Sequence, residues 1–395
     1  MNHRLHAMDH LRAHMMLLGI IFHAALAFTL GSPAPDSPYR AESGSGIYGF
    51  LVEFIHLFRM PVFFVVAGFF TSLLISRRGV TSMINNRFQR IALPLVIFWL
   101  PLFYLSQVGF DYSTHLMDGG SLTNWAWPNF SKVIINANLI HLWFLYVLLA
   151  FYVIAIIVQR VLESPTLNKS NQKVWNRATP IFLGFLAVPA FWINQDYHIP
   201  APLSFTPDLA MNLFYAAFFV SGMSLYMAKE KLTFLAEKTW LWGVLFIVFY
   251  LTHAATGLVI LSEEQLKNFR PNGYSSLFKA MAISALVLFV ISAYLRWANN
   301  ASKLSSFLSE SSYWLYLIHF PFTVWLPPLM HESPIPIWAR FLMTIAITVG
   351  FGLLSYILVV RKTLLGQLLN GTKPGKPPTK KVEEYSLMEA PITGR

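Results

Sequence analysis

The chain has no cysteine among its 395 residues, and only 12% of the residues are charged. Without cysteine it cannot form disulfides, thiolate metal sites, cysteine nucleophiles or S-acylated anchors. Soluble globular proteins carry about 25% charged residues. The low charge, together with 55% hydrophobic residues and a mean hydropathy of +0.52, therefore excludes an ordinary water-soluble protein.

Apolar stretches of about 20 residues, the length that an α-helix needs to cross a bilayer, recur along the chain. They predict an all-α, polytopic integral membrane protein with about ten transmembrane helices. The predicted spans are 12–30, 50–76, 90–110, 139–160, 179–194, 209–228, 239–261, 276–296, 307–329 and 338–360. Because no convincing small-residue cleavage site follows the first span, we expect that span to be retained. Residues 1–362 then form one transmembrane domain, and the Pro- and Lys-rich tail 363–395 is predicted to be disordered.

The formal net charge is +11, from 29 Lys and Arg against 18 Asp and Glu. When the basic residues are sorted by the alternation of the spans, 22 of the 29 fall on one side and 6 on the other, with Arg59 inside a span. Cytoplasmic loops are enriched in Lys and Arg, so this asymmetry predicts that both termini are cytoplasmic. The positive charge is thus a consequence of orientation, and nucleic-acid binding is not expected.

Ionisable side chains inside the spans are candidates for a functional site, since they are costly in lipid and usually face a cavity. Arg12 and His23 are separated by roughly three helical turns and share one face of the first helix, with His23 in its outer half. In the second span, Glu53, His56 and Arg59 recur every three residues on one stripe, at about the depth of His23. The alternative is a snorkelling arginine and a histidine that only bridges two helices.

Three further histidines, His141, His253 and His319, fall on the outer side of later spans. A histidine beside a carboxylate suits general-base catalysis, because it titrates near neutral pH and the carboxylate holds its tautomer. No two histidines in the spans have the i, i+4 spacing of a helical zinc pair, so we expect no metal. Serine-hydrolase, P-loop and dinucleotide-binding motifs are absent from the sequence as well.

Arginines cluster before the third span. Arg87 and Arg90 lie three residues apart at a helix start, where two guanidinium groups suit phosphate through forked, charge-assisted hydrogen bonds. Arg77 and Arg78 are explained sufficiently as positive-inside anchors. The sequence thus predicts an anion-binding end on the cytoplasmic side.

Two tryptophans, Trp125 and Trp127, lie in the predicted outer loop 111–138. Tryptophan is enriched at membrane interfaces, and an interfacial belt is one explanation for both residues. Stacking on sugar rings is the other. The sequence leaves both open.

The motifs together resemble the acyltransferase family 3 of integral-membrane acyltransferases. The resemblance covers nearly the whole chain. It rests on Arg12 with His23, on the run Phe63-Phe64-Val65-Val66-Ala67-Gly68-Phe69, on Arg87-Phe88-Gln89-Arg90-Ile91 with Pro94, on His141-Leu142-Trp143-Phe144-Leu145 and on Ser311 to His319. Ala67 departs from the pattern, since a serine is common in the family before this glycine.

The resemblance implies that His23 is the catalytic histidine and Arg12 its motif partner. It also implies that Arg87 and Arg90 bind the acyl donor, an acyl-coenzyme A, with no permanently bound cofactor. The further site candidates are, for catalysis, Glu53, His56 and Arg59 and, for substrate binding, His141, Trp143 and His319.

Within the family the resemblance is to proteins that succinylate osmoregulated periplasmic glucans. It implies transfer of an acyl group, most simply succinyl, from cytoplasmic acyl-coenzyme A to glucan hydroxyls in the bacterial inner membrane. The partners would be the lipid bilayer, the donor, the periplasmic glucan and other glucan-biosynthesis proteins. Two alternatives stay open: an acetyltransferase for another surface polysaccharide, and a proton-coupled transporter whose histidines and Glu53 carry protons.

Overall fold

The computed structural model describes residues 6–32, 37–135, 137–162, 201–229, 232–257, 273–300 and 303–370. Within these ranges the chain is helical and contains no β-strand. The helices are α1 (His6–Leu26), α2 (Gly46–Arg87), α3 (Leu93–Met117), α4 (Phe130–Ile134), α5 (Trp143–Leu162), α6 (Leu209–Met227), α7 (Leu232–Glu237), α8 (Thr239–Gly257), α9 (Gly273–Trp297), α10 (Lys303–Leu329), α11 (Ile337–Ser355) and α12 (Leu364–Asn370). Single turns of 3-10 or π-helix are Ile140–Leu142, Phe88–Ala92 and Tyr356–Val360.

Six stretches of the described chain are long and apolar enough to cross a membrane. They are Gly46–Met117, Ile140–Arg160, Leu209–Met227, Thr239–Thr256, Tyr274–Trp297 and Ile337–Val360. The helical class predicted from sequence is therefore confirmed for the described ranges, which contain six candidate membrane-spanning stretches. The predicted span 179–194 and the tail beyond Asn370 lie outside the described residues, and the count of ten spans and the side of the termini stay predictions.

The helices around α1 define two ends of the bundle. α1 packs against α2, α9, α10 and α11. It runs parallel to α10, since Arg12 contacts Ser309 and His23 contacts His319 further along. It runs antiparallel to α2, since Phe22 contacts His56 while Gly19 faces Arg59. We call the end where α1 begins the proximal end and the end where it terminates the distal end.

The 42-residue helix α2 bends near its proximal end. Gly79 has φ 79° and ψ 168°, a backbone conformation that glycine adopts far more readily than other residues. Beyond this bend the chain returns toward the bundle. Nη2 of Arg87 then lies 3.4 Å from the hydroxyl of Thr71, an earlier residue of the same helix. The bend therefore places a predicted donor-binding arginine against the bundle.

Two glycines let α2 and α6 approach closely. A Cβ on Gly68 would collide with the Phe219 carbonyl, and a Cβ on Gly222 would collide with the Val65 carbonyl. Small residues permit such backbone contact between membrane helices. The glycine of the Phe63–Phe69 motif thus has a packing role. The close pair α2–α6 also fixes the position of the polar residues that α2 carries about two and a half to four turns earlier.

Candidate functional site

Three imidazoles meet inside the bundle, and we call them the histidine cluster. They are His23 of α1, His141 of the single turn before α5 and His319 of α10. The ring centroids of His23 and His319 lie 5.2 Å apart, and those of His141 and His319 lie 5.0 Å apart. The Phe320 ring lies 4.9 Å from both the His23 and the His141 ring. Three residues from distant parts of the sequence thus share one apolar enclosure.

Backbone carbonyls of α10 orient two of these imidazoles. His141 donates from Nε2 to the Leu317 carbonyl at 2.9 Å, and His319 donates from Nδ1 to the Tyr316 carbonyl at 2.7 Å. A carbonyl can only accept, so each of these nitrogens carries a hydrogen. The phenol of Tyr316 in turn donates to the His141 carbonyl at 2.9 Å. The contacts therefore fix the tautomer of each neutral ring.

Pro321 explains why the Leu317 carbonyl is available. In an α-helix this carbonyl would accept from the backbone N–H four residues later, but proline has none. A buried carbonyl without a partner is costly, and His141 supplies the missing donor. A proline in α10 thereby creates the docking point for a histidine from another segment.

Each ring of the cluster has a nitrogen without a hydrogen-bond partner within the described part of the chain. These nitrogens are buried and belong to His23 (Nδ1), His141 (Nδ1) and His319 (Nε2). In the fixed tautomers, Nδ1 of His141 and Nε2 of His319 carry lone pairs, which can accept a proton or a hydroxyl hydrogen. Buried polar atoms are rarely left unsatisfied in native proteins. The arrangement is therefore suited to receive a polar ligand.

Arg59 lies beside the histidine cluster, toward the proximal end. Its side chain is only 8% exposed, and its guanidinium carbon sits 5.0 Å from the centre of the Phe22 ring. Nη1 occupies the space that a Cβ on Gly19 would need. Since Gly19 precedes His23 by four residues, the Arg59 guanidinium lies about 6 Å of α1 rise from the level of His23. Among the described residues, Nε has no hydrogen-bond partner and no carboxylate forms an ion pair with this side chain.

The predicted stripe on α2 is present and faces α1. His56 stacks on Phe22 with ring centroids 5.2 Å apart, so Phe22 lies between His56 and Arg59. Glu53 follows one turn further toward the distal end and is partly exposed. The stripe therefore reaches the surroundings of His23 through Phe22.

A pocket joins His23 to the distal end of the bundle, with an empty volume of about 340 Å³ that includes space open to solvent. Its walls come from α1, α3, α10 and the segment after α1. They include His23, Tyr39, Phe110, Ser113, Phe320 and Thr323. A ligand that enters the pocket from the distal end would contact the imidazole of His23, which forms part of the pocket wall.

Tyr39 forms part of this wall from outside the helices. It is 4% exposed, and its hydroxyl lies 3.2 Å from Nδ1 of His331 in the loop before α11. Burial raises the pKa of the Tyr39 phenol, which keeps it protonated and able to donate a hydrogen bond. Arg340 holds the same loop through the carbonyls of His331, Ser333 and Ile335.

Three indoles form a surface at the distal end, which we call the tryptophan shelf. It comprises Trp125, Trp127 and Trp325, with ring centroids 5.5–6.4 Å apart. Their N–H groups donate to Asp111 at 3.0 Å, the Tyr104 hydroxyl at 2.7 Å and the Leu105 carbonyl at 2.8 Å, respectively. Trp127 is 56% exposed. The rings are thus held by protein contacts while one face of the shelf remains accessible.

The shelf and the pocket share two helices. Trp325 follows the pocket residue Val324 on α10 and stacks on Tyr112 at 5.8 Å, and Tyr112 precedes the pocket residue Ser113 on α3. Gly109 allows this contact, because a Cβ there would lie 2.8 Å from the Trp325 indole nitrogen. The shelf therefore lies next to the entrance toward His23.

The proximal end gathers the predicted arginines. Arg12 donates to the Ser309 hydroxyl at 3.0 Å and lies about 16 Å of helix rise from His23. The Arg87 guanidinium lies 4.9 Å from the centre of the Tyr152 ring. The carbonyl of Arg90 accepts from the Tyr313 hydroxyl at 2.7 Å. Arg12 is thus placed at the level of the other arginines and three turns away from the histidine that shares its helix face.

Two residues that the sequence analysis considered for the site, His253 and Trp143, lie outside the histidine cluster. Nδ1 of His253 lies 2.9 Å from the Ser275 hydroxyl, in the α8–α9 pair. Trp143 packs on Tyr215 at 5.2 Å and on Phe64 at 6.3 Å, and it does not line the pocket described above. Neither contact is with an imidazole of the cluster.

Sequence reasoning missed several contributors to the site. It gave no role to Gly19, Tyr316 or Trp325. Two signals were present in the sequence: Gly19 lies one turn from His23, and Pro321 leaves the Leu317 carbonyl without its helical donor. Within the described ranges, no group of three or more His, Cys, Asp or Glu is arranged to hold a metal ion.

Comparison with known proteins gives one family. The acyltransferase domain of family 3 matches residues 5–360. Glucans biosynthesis protein C of Escherichia coli K12 is 26% identical over 386 residues, covering 92% of this chain and 94% of the relative. The same protein of E. coli O157:H7 is 25% identical with the same coverage. No solved structure gives a significant match. The chain therefore belongs to the acyltransferase family 3 of membrane proteins, as its motifs predicted.

Proposed function

We propose that this protein transfers a succinyl group from cytoplasmic acyl-coenzyme A to a hydroxyl of an osmoregulated periplasmic glucan, in the bacterial inner membrane. The observation that carries the proposal is the histidine cluster, which lies between arginines at the proximal end and a pocket that leads to the distal end. The proximal end is assigned to the cytoplasm by the positive-inside asymmetry. Donor and acceptor then reach His23 from opposite sides.

The donor end contains the cations that a coenzyme A thioester needs. Arg87 directly precedes the π-helical turn Phe88–Ala92 and Arg90 lies within it. Both would pair with phosphate groups, while Arg12 lies near the same level. The pantetheine arm would carry the thioester along the bundle toward Arg59 and His23. No protein-bound cofactor is required.

Acyl transfer needs one base and one site for the developing negative charge. In direct transfer, an imidazole nitrogen of His23 takes the acceptor hydroxyl proton while the alkoxide oxygen attacks the thioester carbonyl carbon. The tetrahedral intermediate then expels the coenzyme A sulfur, which takes the proton from His23. In the stepwise route, His23 itself attacks, and the acyl-imidazole is then cleaved by the sugar hydroxyl. Both routes give one ester and one free thiol.

The acceptor end suits a carbohydrate. The tryptophan shelf presents flat apolar rings beside polar groups, namely Asp111 with Lys132 at 3.1 Å. Sugar-binding sites need both kinds of contact, since the C–H face of a pyranose is apolar and its edge is polar. Other glucan-biosynthesis proteins would supply the acceptor on that side.

The test uses the full-length protein in liposomes, with succinyl-coenzyme A on one side and purified periplasmic glucan on the other. The proposal predicts free thiol and a glucan ester that mass spectrometry identifies as succinyl. Acetyl esters formed in preference would support the alternative acetyltransferase. Glucan movement into the vesicles without donor and without any ester would overturn the enzyme and indicate a transporter.

A further inference from the structure

Arg59 is a buried cation for which the described residues provide no counter-ion. It is 8% exposed, it lies on a membrane helix, and its Nε has no hydrogen-bond partner among those residues. Burying an unpaired charge is strongly unfavourable, and intramembrane ionisable groups usually serve a substrate or ion. An anionic group of a ligand would remove this cost.

A second donor that has no partner among the described residues packs against α2, the helix that carries Arg59. The hydroxyl of Tyr215 on α6 is fully buried and has no hydrogen-bond partner in the described ranges. Its ring packs on Phe64 of α2 with ring centroids 4.8 Å apart, and Phe64 follows Arg59 by five residues. A guanidinium and a hydroxyl that both lack acceptors form a site for one carboxylate, which offers two oxygens and accepts from both.

We infer that Arg59, with the Tyr215 hydroxyl, binds the terminal carboxylate of a dicarboxylic acyl group and so selects a charged donor over a neutral one. The inference rests on the proposed acyl transfer and names the acyl class that this site would accept. The carboxylate would pair with Nε and an Nη of Arg59 while the thioester carbonyl lies at His23.

The spacing along α1 fits a short diacid. Arg59 faces Gly19, which lies four residues, or about 6 Å of helix rise, from His23. In a succinyl group, three C–C bonds of about 1.5 Å each join the thioester carbonyl carbon to the carboxylate carbon. Extended, these bonds span about 4 Å, and a hydrogen bond of about 3 Å from the carboxylate to the guanidinium covers the remaining distance. A donor that stabilises the oxyanion must lie about 3 Å from the reacting oxygen. Because Arg59 lies one turn from His23, its position favours a role in binding the acyl group.

The structure also shows how the guanidinium is held in place. Nη1 occupies the space over Gly19, and the Phe22 ring covers the guanidinium at 5.0 Å. A methyl group at residue 19 would displace the guanidinium without removing its charge. Gly19 thus makes room for the proposed carboxylate anchor.

The experiment compares succinyl-coenzyme A with butyryl-coenzyme A, which has the same chain length but no terminal charge. Full-length protein is assayed in liposomes with the variants Arg59→Met, Arg59→Lys and Tyr215→Phe. Tyr226→Phe, another buried tyrosine of α6, is the matched control. We expect Arg59→Met to lower kcat/KM for succinyl about 10- to 100-fold, the effect of losing a charged hydrogen bond, and to leave butyryl transfer within about threefold. Tyr215→Phe should reduce the preference less, and Tyr226→Phe should leave it unchanged.

Equal losses with both donors would overturn the inference and assign Arg59 to charge stabilisation at the reacting carbonyl. Unchanged selectivity in all variants would overturn it as well. Binding separates this inference from the proposed reaction. His23→Ala protein should bind succinyl-coenzyme A more tightly than butyryl-coenzyme A, and adding Arg59→Met should abolish that difference even if no variant turns over. Gly19→Ala, which keeps the charge but displaces it, should reduce the preference if Arg59→Met does not fold.

Discussion

His141 and Leu317 are joined by a hydrogen bond of 2.9 Å from an imidazole nitrogen to a backbone carbonyl. The bond forms because Pro321 cannot donate to that carbonyl within its own helix. It holds the histidine in one tautomer and ties the start of α5 to the middle of α10. The hydrogen bond that Pro321 cannot make within α10 is thus replaced by one that positions His141 beside His319.

Pro321→Ala should restore a backbone N–H that competes with His141 for the Leu317 carbonyl. We expect the protein to remain at least as stable, because proline inside a helix costs about 3 kcal/mol, while transfer falls about tenfold as the imidazole loses its orientation. Thermal unfolding in detergent and initial rates measure the two effects. Pro101→Ala in α3 is the control, and equal rates for both variants would contradict this account.

His23→Ala should reduce acyl transfer by about 100-fold or more, the usual contribution of a positioned general base. Rates of thiol release in liposomes provide the measurement. His253→Ala is a matched control, since His253 is also a buried histidine but bonds to Ser275 outside the cluster. An active His23→Ala protein would remove this residue from the reaction.

Arg87→Ala should raise the KM for acyl-coenzyme A about 10- to 100-fold and change kcat little, because a phosphate contact affects binding more than chemistry. Donor titrations at saturating glucan measure this. Arg77→Ala, an exposed arginine on the same helix, should leave the donor KM unchanged. If both variants behave alike, the arginines act only as topology anchors.

Trp127→Ala should raise the KM for glucan several-fold, with the donor KM unchanged, whereas Trp127→Phe should retain most of the affinity because a flat ring remains. The control is Trp338→Ala, an indole with 61% exposure on α11 that lies outside the shelf. Acceptor titrations distinguish the roles. If both alanine variants lower the stability of the protein in the membrane and leave the KM for glucan unchanged, the tryptophans act as an interfacial belt.

Gly68→Ala should destabilise the fold by about 1–3 kcal/mol or more, because the added methyl collides with the Phe219 carbonyl and forces α2 from α6. Gly350→Ala is the control, since nothing lies within 4 Å of a Cβ at that glycine. Thermal unfolding in one detergent compares them. Equal midpoints would show that the helices can separate at little cost.

Much of the site follows from the sequence where the signal is local. The i, i+3 stripe of Glu53, His56 and Arg59 lies on one face of α2 because helix periodicity requires it. The shared face of Arg12 and His23 follows in the same way. Periodicity does not give the partner of a face, and Arg12 and His23 in fact contact different levels of α10.

The sequence by itself determined the membrane class, the helical fold, the family and the residue types available for chemistry, because hydropathy and helix periodicity are local properties of the chain. Only the tertiary structure decided which histidines meet. His141 and His319 join His23, while His253 packs elsewhere. It also decided that Arg59 faces Gly19 and that Trp325 joins the shelf. These contacts depend on how α1, α2 and α10 pack, and packing is set by shape complementarity between segments far apart in the chain.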